Sequence, residues 1–251
     1  MSAFYNENDP KAAAWLRELI KAGLIAPGIV DERSIADVQA ADLAGYEQVH
    51  FFAGIGGWSY ALRLAGWPDD RPVWTGSCPC QPFSGAGDGR GNADHRNLWT
   101  EMFRLIRERR PDCAFGEQVA GAVGYGWLDG VSANLEGCDY AVGAAVLGAH
   151  SVGSPQIRQR LFWVADGAGR KAWRSEPKDR LPKPEAPWAK YIEQAGRCCS
   201  DHDGDLRRAP PDVLLVADGI SSNVDAIAGF GNAIVPQVAA EFVRAYMETP
   251  A

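Results

Sequence analysis

The sequence predicts an α/β protein built on a Rossmann-like, doubly wound sheet. The apolar segment 48–53 runs into the glycine-rich turn 54–57 and then into a predicted helix over residues 58–65. Strand, glycine turn and helix is the arrangement that brings backbone N–H groups and a helix N-terminus to a cofactor. Further short apolar strands alternate with amphipathic helices along the chain, which is typical of a sheet with helices on both faces.

Most of the other predicted elements have a local signal. Asp9 can cap a first helix that has Pro10 at its first position, and Gly23 can close it. A helix over residues 97–109 carries an apolar stripe and stops before Pro111. The remaining predictions are strands over 73–74, 112–116, 140–147, 161–165 and 213–216 and helices over 125–135 and 237–247. Residues 25–41 allow either a strand or a small helix.

Cys80 stands out chemically. It lies between Pro79 and Pro82, whose rings fix the backbone, and it follows a short predicted strand and precedes the glycine-rich residues 85–91. A thiol at the carboxyl end of a strand is where an α/β enzyme places a nucleophile. The alternative is a packing cysteine beside a tight turn.

Composition narrows the classes of function. The chain has 251 residues, 46% of them hydrophobic, and a net charge of −7, which fits one sizeable globular core and argues against a general basic nucleic-acid coat. The absence of a membrane-length apolar run and of a signal peptide predicts a cytoplasmic protein. Six cysteines and four scattered histidines indicate neither a disulfide framework nor a metal site.

Two polar segments are candidates for substrate contact. Arg158 and Arg160 enter a predicted strand two residues apart, so they point to the same face, as either a solvated edge or a polar clamp. Residues 170–190 hold seven basic and three acidic residues together with Trp173 and Trp188. Basic residues interleaved with aromatic ones suit a nucleic-acid surface, and a solvated linker is the alternative.

Five motifs in order resemble the DNA cytosine-5 methyltransferases, and the chain looks like a compact bacterial or phage-like member. These are Phe-Ala-Gly-Ile-Gly-Gly (52–57), Pro-Cys-Gln-Pro-Phe-Ser (79–84), Glu-Gln-Val (117–119), Gln-Ile-Arg-Gln-Arg (156–160) and Gly-Asn-Ala-Ile-Val-Pro (231–236). The resemblance implies the S-adenosylmethionine-dependent methyltransferase fold and methyl transfer to C5 of a flipped cytosine in duplex DNA, as in restriction-modification.

The resemblance also implies roles for individual residues. Cys80 would add to cytosine C6, Glu117 would bind N3 and the exocyclic amine, and Arg158 and Arg160 would serve the O2 side. The residues implied for S-adenosylmethionine are Phe52, Ala53, Gly54, Ile55, Gly56, Gly57, Pro79, Leu98, Asn232, Ala233 and Ile234. Those implied for DNA are Gln81, Ser84, Arg90, Arg170, Lys171, Arg174 and Lys178.

By the same resemblance the chain divides into three parts. Residues 1–165 would form the catalytic domain that binds donor and cytosine, residues 166–225 a short target-recognition region, and residues 226–251 a segment that returns to the catalytic domain. The short recognition region indicates weak specificity, a short target or a separate specificity partner. We expect a monomer.

One departure from the family pattern concerns the donor pocket. The family usually has two further strands between the donor motif and the nucleophile, and only one helix and one short strand fit there in this chain. Residues 33–38 look like the missing adenine-side motif placed out of order. We therefore hypothesise that the N-terminal region rebuilds this part of the pocket, with Asp37 or a neighbouring acid near the donor.

Three alternatives stay open at this stage. Related tRNA enzymes share most of the motifs, so the substrate could be RNA. The missing strands would also suit a methyltransferase-like DNA-binding protein with impaired donor binding. A donor that carries a group other than methyl is the third alternative.

Overall fold

A computed structural model of the chain describes residues 3–79, 98–154, 158–167 and 233–249. Within these ranges, seven strands form one sheet in the order β2-β1-β3-β4-β5-β7-β6. The strands are β1 (Ala3–Asn6), β2 (Gly28–Asp31), β3 (Gln48–Phe51), β4 (Val73–Gly76), β5 (Cys113–Val119), β6 (Ala141–Gly148) and β7 (Gln159–Asp166). Neighbouring strands from β2 to β5 run parallel, and β7 runs antiparallel to both β5 and β6. The predicted α/β class and doubly wound sheet are confirmed.

Five α-helices connect and cover these strands in the described part of the chain. They are α1 (Pro10–Lys21), α2 (Gly57–Ala65), α3 (Trp99–Arg109), α4 (Trp127–Glu136) and α5 (Pro236–Glu248). Short 3-10 segments lie at Ile35–Asp37, Ala40–Leu43, Ala120–Tyr125 and Ala149–Val152. None of these described helices has the length and hydropathy needed to cross a bilayer.

The local signals place the helix ends as predicted. The Asp9 carboxylate accepts hydrogen bonds of 2.9 Å from the backbone N–H groups of Lys11 and Ala12, which otherwise lack partners in the first turn. Gly66 ends α2 with φ +83°, a conformation that glycine adopts without steric cost. These contacts depend only on neighbouring residues, and for that reason the sequence predicts them.

Two apolar layers cover opposite faces of the sheet. On one face, α3 and α4 pack on alternate strand residues such as Phe51, Trp74 and Trp163. On the other face, α2 and α5 pack on Phe115 and Phe162, and α1 packs on a smaller cluster around β1. Strand residues alternate between the two layers because consecutive side chains of a strand point to opposite sides.

The N-terminal strands form one edge of the sheet, next to the strand of the glycine-rich turn. β1 pairs with β3 from Ala3 opposite Gln48 to Asn6 opposite Phe51, and β2 pairs with the outer side of β1. The N-terminal region, which we hypothesise to rebuild part of the donor pocket, therefore lies beside the strand of the glycine-rich turn. β1 itself was not predicted, because four residues buried on both faces show no alternation.

A buried polar cluster holds β1 against β3 and α2. The Tyr5 hydroxyl donates to the Ala26 carbonyl at 2.6 Å and shares a 2.9 Å hydrogen bond with the Ser59 hydroxyl. The Tyr5 ring stacks on the His50 imidazole at 4.9 Å between centroids. Burial lowers the pKa of His50 to about 3, so the ring is neutral at physiological pH and adds no charge to this layer.

Two predicted boundaries near the motifs were wrong. β5 extends to Val119, so Glu117 lies inside the strand and not just beyond it, because β7 continues the antiparallel ladder as far as Val119 opposite Arg160. α4 begins at Trp127, after a 3-10 segment that ends at Tyr125. The predicted strand over residues 213–216 lies outside the described residues.

Candidate active site

A pocket opens at the carboxyl ends of β1, β3 and β4, the edge where open parallel sheets bind ligands. Its lining comes from the strand ends, the first 3-10 segment and the residue before α3. The lining residues are Asn6, Glu7, Asn8, Ser34, Ile35, Phe52, Pro79 and Leu98. Three residues expected to hold a cofactor, Phe52, Pro79 and Leu98, thus meet in one pocket, and five residues of the N-terminal region complete it.

The N-terminal residues are tied to the glycine-rich turn by direct hydrogen bonds. The Glu7 carboxylate accepts from the Gly54 backbone N–H at 2.7 Å and from the Asp9 N–H at 2.9 Å. The Asn6 side chain donates to the Arg33 carbonyl at 2.8 Å, which holds the loop before Ser34 beside the strand end. A carboxylate is therefore positioned at the mouth of the glycine turn.

Within the turn, glycine is required for different structural reasons at different positions. Gly54 has φ +54°, and an added Cβ would have nothing nearer than the Phe52 carbonyl oxygen at 4.0 Å, so the space above it is open to a ligand. A Cβ on Gly57 would lie 2.8 Å from the Ile234 side chain, and one on Gly56 would lie 3.3 Å from Leu16 and Ile25. Gly56 and Gly57 therefore permit close packing between parts of the protein, which is a reason for glycine that does not involve a ligand.

Phe52 precedes this turn with φ +51°, a conformation that costs energy in a residue with a Cβ. It follows directly from β3 and lines the pocket. Strain of this kind is maintained where surrounding structure enforces it, and such positions cluster at ligand sites.

A second group of polar side chains lies at the ends of β5 and β7. Glu117 is buried, and the Arg160 Nε atom lies 2.9 Å from its Oε1 atom. Arg158 donates to the Ala233 carbonyl at 2.7 Å, which ties the loop before β7 to the segment before α5. Glu117 from one motif and Arg158 and Arg160 from another are brought together. Both arginines interact with protein groups, so they do not form a fully solvated edge.

Burial and charge act on Glu117 in opposite directions. Burial raises the pKa of the Glu117 carboxyl, and Arg160, Arg158 and a hydrogen bond from Ser77 oppose that rise. The net direction is upward, so the proton is held more strongly than on an exposed glutamate. A carboxyl in this state can donate a hydrogen bond as well as accept one.

The chain leaving β4 passes between the pocket and Glu117. Ser77 contacts Glu117, and Pro79 lines the pocket. Cys78 is buried, and burial raises the pKa of its thiol to about 12, so it stays protonated and is a poor nucleophile. The Gln118 amide donates to the Cys78 carbonyl at 3.4 Å, so the glutamine that replaces the family's asparagine does reach this loop.

Several predicted site residues lie outside the described residues, and the structure therefore does not place them. They are Cys80, Gln81, Ser84, Arg90, Arg170, Lys171, Arg174, Lys178 and Asn232. Among the described residues, Ala53 and Ile55 are half-buried in the turn, and Ile234 packs behind Gly57. Asp37 is exposed and is not part of the pocket lining.

The family model described as C-5 cytosine-specific DNA methylase matches residues 67–205 of this chain, which is more than half of its length. The chain belongs to the C-5 cytosine-specific DNA methylases. The family resemblance read from the five motifs is thus confirmed.

Curated relatives in this family align with only part of their length. The type II methyltransferase M.HhaI of Haemophilus parahaemolyticus is 26% identical over 167 residues, which cover 51% of this chain and 51% of the relative. The type II methyltransferase M.AluI of Cellulosimicrobium cellulans is 34% identical over 116 residues, covering 41% of this chain and 22% of the relative. The chain therefore spans about half or less of the length of these relatives.

Among solved structures, the Dnmt2 methyltransferase of S. pombe superposes with a TM-score of 0.51 at 12% identity, covering 99% of this chain and 98% of that one. At this identity the likeness concerns the fold, and it agrees with the Rossmann-like class.

The site contains residues that the sequence interpretation of this methylase missed. Glu7 and Asn8 line the pocket, Ser77 interacts with Glu117, and Trp58 donates to Ser77. A signal for Glu7 was present in the sequence: it stands between a short apolar stretch and the capped start of α1, which is the position of a strand-end acid. No local signal connects Trp58 with Ser77, because that contact joins different elements.

Proposed function

We propose that this methylase transfers a methyl group from S-adenosylmethionine to C5 of a cytosine flipped out of DNA, through a covalent bond between Cys80 and cytosine C6. The observation that carries the proposal is the meeting of two sites at the strand ends. Pro79 lines the carboxylate-bearing pocket beside the open glycine turn, and Ser77, two residues earlier, interacts with the buried Glu117 that pairs with Arg160. The chain that leads to Cys80 runs between them.

The pocket residues fit a nucleoside-containing donor. The Glu7 carboxylate can accept hydrogen bonds from ribose hydroxyl groups, and Ile35, Phe52 and Leu98 offer apolar surface to an adenine ring. Gly54 leaves its backbone open to close approach. When it is bound, S-adenosylmethionine supplies an electrophilic methyl group. We assign the acidic role to Glu7, since Asp37 is exposed outside this lining.

The residues of the second site would make cytosine C5 reactive. The Cys80 thiolate forms a bond to C6, and the electron pair displaced from the C5–C6 double bond makes C5 nucleophilic. Glu117 holds a proton at N3 and accepts a hydrogen bond from the exocyclic amine, and Arg160 and Arg158 offset negative charge on the O2 side. After methylation, loss of the C5 proton and of the thiolate restores the aromatic ring.

Recognition of DNA is assigned to segments around this centre. In this proposal residues 166–225 form the target-recognition region. Its basic side chains bind phosphate groups of the DNA backbone, and these are Arg170, Lys171, Arg174 and Lys178. Gln81, Ser84 and Arg90 would contact the flipped base and its strand, as the family resemblance implies.

A covalent trap tests the proposal. Duplex DNA that contains 5-fluorocytosine, incubated with S-adenosylmethionine, should form a complex with the protein that survives denaturation, because fluorine cannot leave C5 as a proton does. Cys80→Ser should abolish the complex. Cys78→Ala, a change of the neighbouring cysteine, should retain it. Persistence of the complex in Cys80→Ser would rule out the proposed nucleophile.

Two parallel measurements separate the alternatives. Methyl transfer to tRNA without transfer to duplex DNA would favour an RNA substrate. Calorimetric absence of S-adenosylmethionine binding would favour a DNA-binding protein with impaired donor binding. The missing strands that motivated that alternative have a counterpart in β1 and β2, which occupy the sheet edge beside β3.

A further inference from the structure

Glu117 is connected to the helix that follows the glycine turn by a chain of hydrogen bonds. The Trp58 Nε1 atom donates to the Ser77 hydroxyl oxygen at 3.0 Å. Ser77 and Glu117 directly follow Gly76 and Gly116, which are paired between the parallel strands β4 and β5, so the two residues are neighbours at the end of β4. Interaction with the Ser77 hydroxyl opposes the rise in the pKa of Glu117. Trp58 lies in the first turn of α2. The chain therefore joins the donor side of the site to the residue assigned to cytosine N3.

The direction of these hydrogen bonds follows from the chemistry of the groups. The indole N–H can only donate, so the Ser77 oxygen must accept from Trp58. The single hydroxyl proton of Ser77 is then available to Glu117. Trp58 is held rigidly, because it is buried and its ring stacks on Phe115 at 6.1 Å and 23°.

We propose that Ser77, oriented by Trp58, is a positioning residue that fixes the carboxyl of Glu117 and sets how strongly it holds its proton during methyl transfer. This inference rests on the proposed function, since it adds a support to the same site. Trp58 acts through Ser77, and neither residue needs to touch the cytosine.

The other charged and titratable groups that face Glu117 come from the neighbouring elements. Arg160 on β7 and Arg158 before it both favour the ionised carboxylate, and the Cys78 thiol lies close enough to interact electrostatically. A hydrogen bond from Ser77 also favours the ionised form. Its removal should therefore raise the pKa of Glu117.

The pH dependence of single-turnover methyl transfer to duplex DNA measures this effect. In the pH–rate profile, the fall in rate at high pH reports loss of the Glu117 proton. Ser77→Ala should move this alkaline limb upward by about one pH unit, which corresponds to the free energy of one ordinary hydrogen bond. Ser77→Thr retains the hydroxyl and should restore the wild-type position. Trp58→Phe frees the Ser77 hydroxyl to rotate and should give a smaller shift in the same direction.

Trp67→Phe is the matched control for the tryptophan change. Trp67 is also buried, packs on Phe115 at 5.8 Å and donates its indole N–H, in this case to the Arg71 carbonyl at 3.1 Å. It has no described contact with Ser77, so the control should leave the alkaline limb in place even if it lowers the melting temperature.

A second readout does not depend on activity. In protein labelled with ¹³C at the glutamate carboxyl groups, the Glu117 resonance is assigned by its loss in Glu117→Gln and titrated in wild type and Ser77→Ala. An upward shift in Ser77→Ala supports the inference even if the protein proves inactive on DNA, in which case only the proposed function fails. An active wild type whose Glu117 titration and alkaline limb are unchanged by Ser77→Ala overturns the inference.

Discussion

Glu7 shows how one residue outside the five motifs can complete the site. Its carboxylate lies 2.7 Å from the Gly54 backbone nitrogen although the two residues are 47 positions apart in sequence. Asp37 was the acid predicted for this role because it stands in the segment that resembles the adenine-side motif. Its side chain is exposed, whereas Glu7 faces the pocket.

At the residue scale, we predict that Glu7→Gln weakens S-adenosylmethionine binding by about 10- to 100-fold, because hydrogen bonds to a charged acceptor contribute about 1.5–3 kcal/mol. Glutamine can still accept from the Gly54 N–H through its single oxygen, and the exposed Asp9 N–H that loses its acceptor can bind water, so the fold should be retained. Asp37→Ala should leave the affinity unchanged. Isothermal titration calorimetry checks both variants, and the opposite pattern would return the role to Asp37.

At the scale of single elements, the packing of β5 on β7 determines where Glu117 lies. Gly116 stands directly opposite Trp163 in the antiparallel ladder, and a Cβ at Gly116 would lie 2.2 Å from the indole ring. Glycine inside a strand often marks such a close approach. Because the Trp163 ring is buried, it cannot swing into solvent to make room for a side chain at position 116, and glycine lets the two strands pair beside the glutamate.

We predict that Gly116→Ala lowers the free energy of unfolding by about 3 kcal/mol, the upper part of the range for overpacking a core. Gly130→Ala is the contrasting change within helix α4. An added Cβ there has open space, so alanine should stabilise the protein by about 0.5–1 kcal/mol through its helix propensity. Urea denaturation measures both, and equal destabilisation by the two variants would contradict this account of Gly116.

At the scale of the whole molecule, the sheet is complete although the order of its strands along the chain departs from the family pattern. β1, α1 and β2 precede β3 in sequence, and β1 and β2 occupy the sheet edge next to it. Parallel strands pair wherever their edges fit, so the sheet does not require one order of connections. The segment that enters β3 also lies close to the segment that enters β4. The Val73 N–H donates to the Glu47 carbonyl at 3.0 Å, and the Gln48 side chain donates to the Pro68 carbonyl at 3.2 Å.

This proximity predicts that the chain tolerates the other strand order. A rearranged gene would begin at Tyr46, after an initiating methionine, and carry residues 3–45 between Asp70 and Arg71, joined by short glycine-serine linkers. It keeps Tyr46, which packs on the core, and Glu47, which accepts from Val73. We expect it to fold with a melting temperature within about 5 °C of the wild type, a change of order 1 kcal/mol, and to bind S-adenosylmethionine. The control has the original order with the same linker inserted at Gly45, an open turn. If the control folds and the rearranged protein does not, the strand order itself is required.

The sequence by itself determined the fold class, most of the helix ends and the family, and it singled out Glu117, Arg158 and Arg160 as candidate site residues. Helix caps, glycine turns and apolar periodicity depend on residues that are close in sequence. The family can be recognised because each motif is a short run of consecutive residues. Tertiary structure alone decided that β1 and β2 form the sheet edge beside β3, that Glu7 and not Asp37 faces the pocket, and that Trp58 donates to Ser77 next to Glu117. Such contacts depend on which strands become neighbours in the sheet, and the pairing of parallel strands has no signal within a short stretch of sequence.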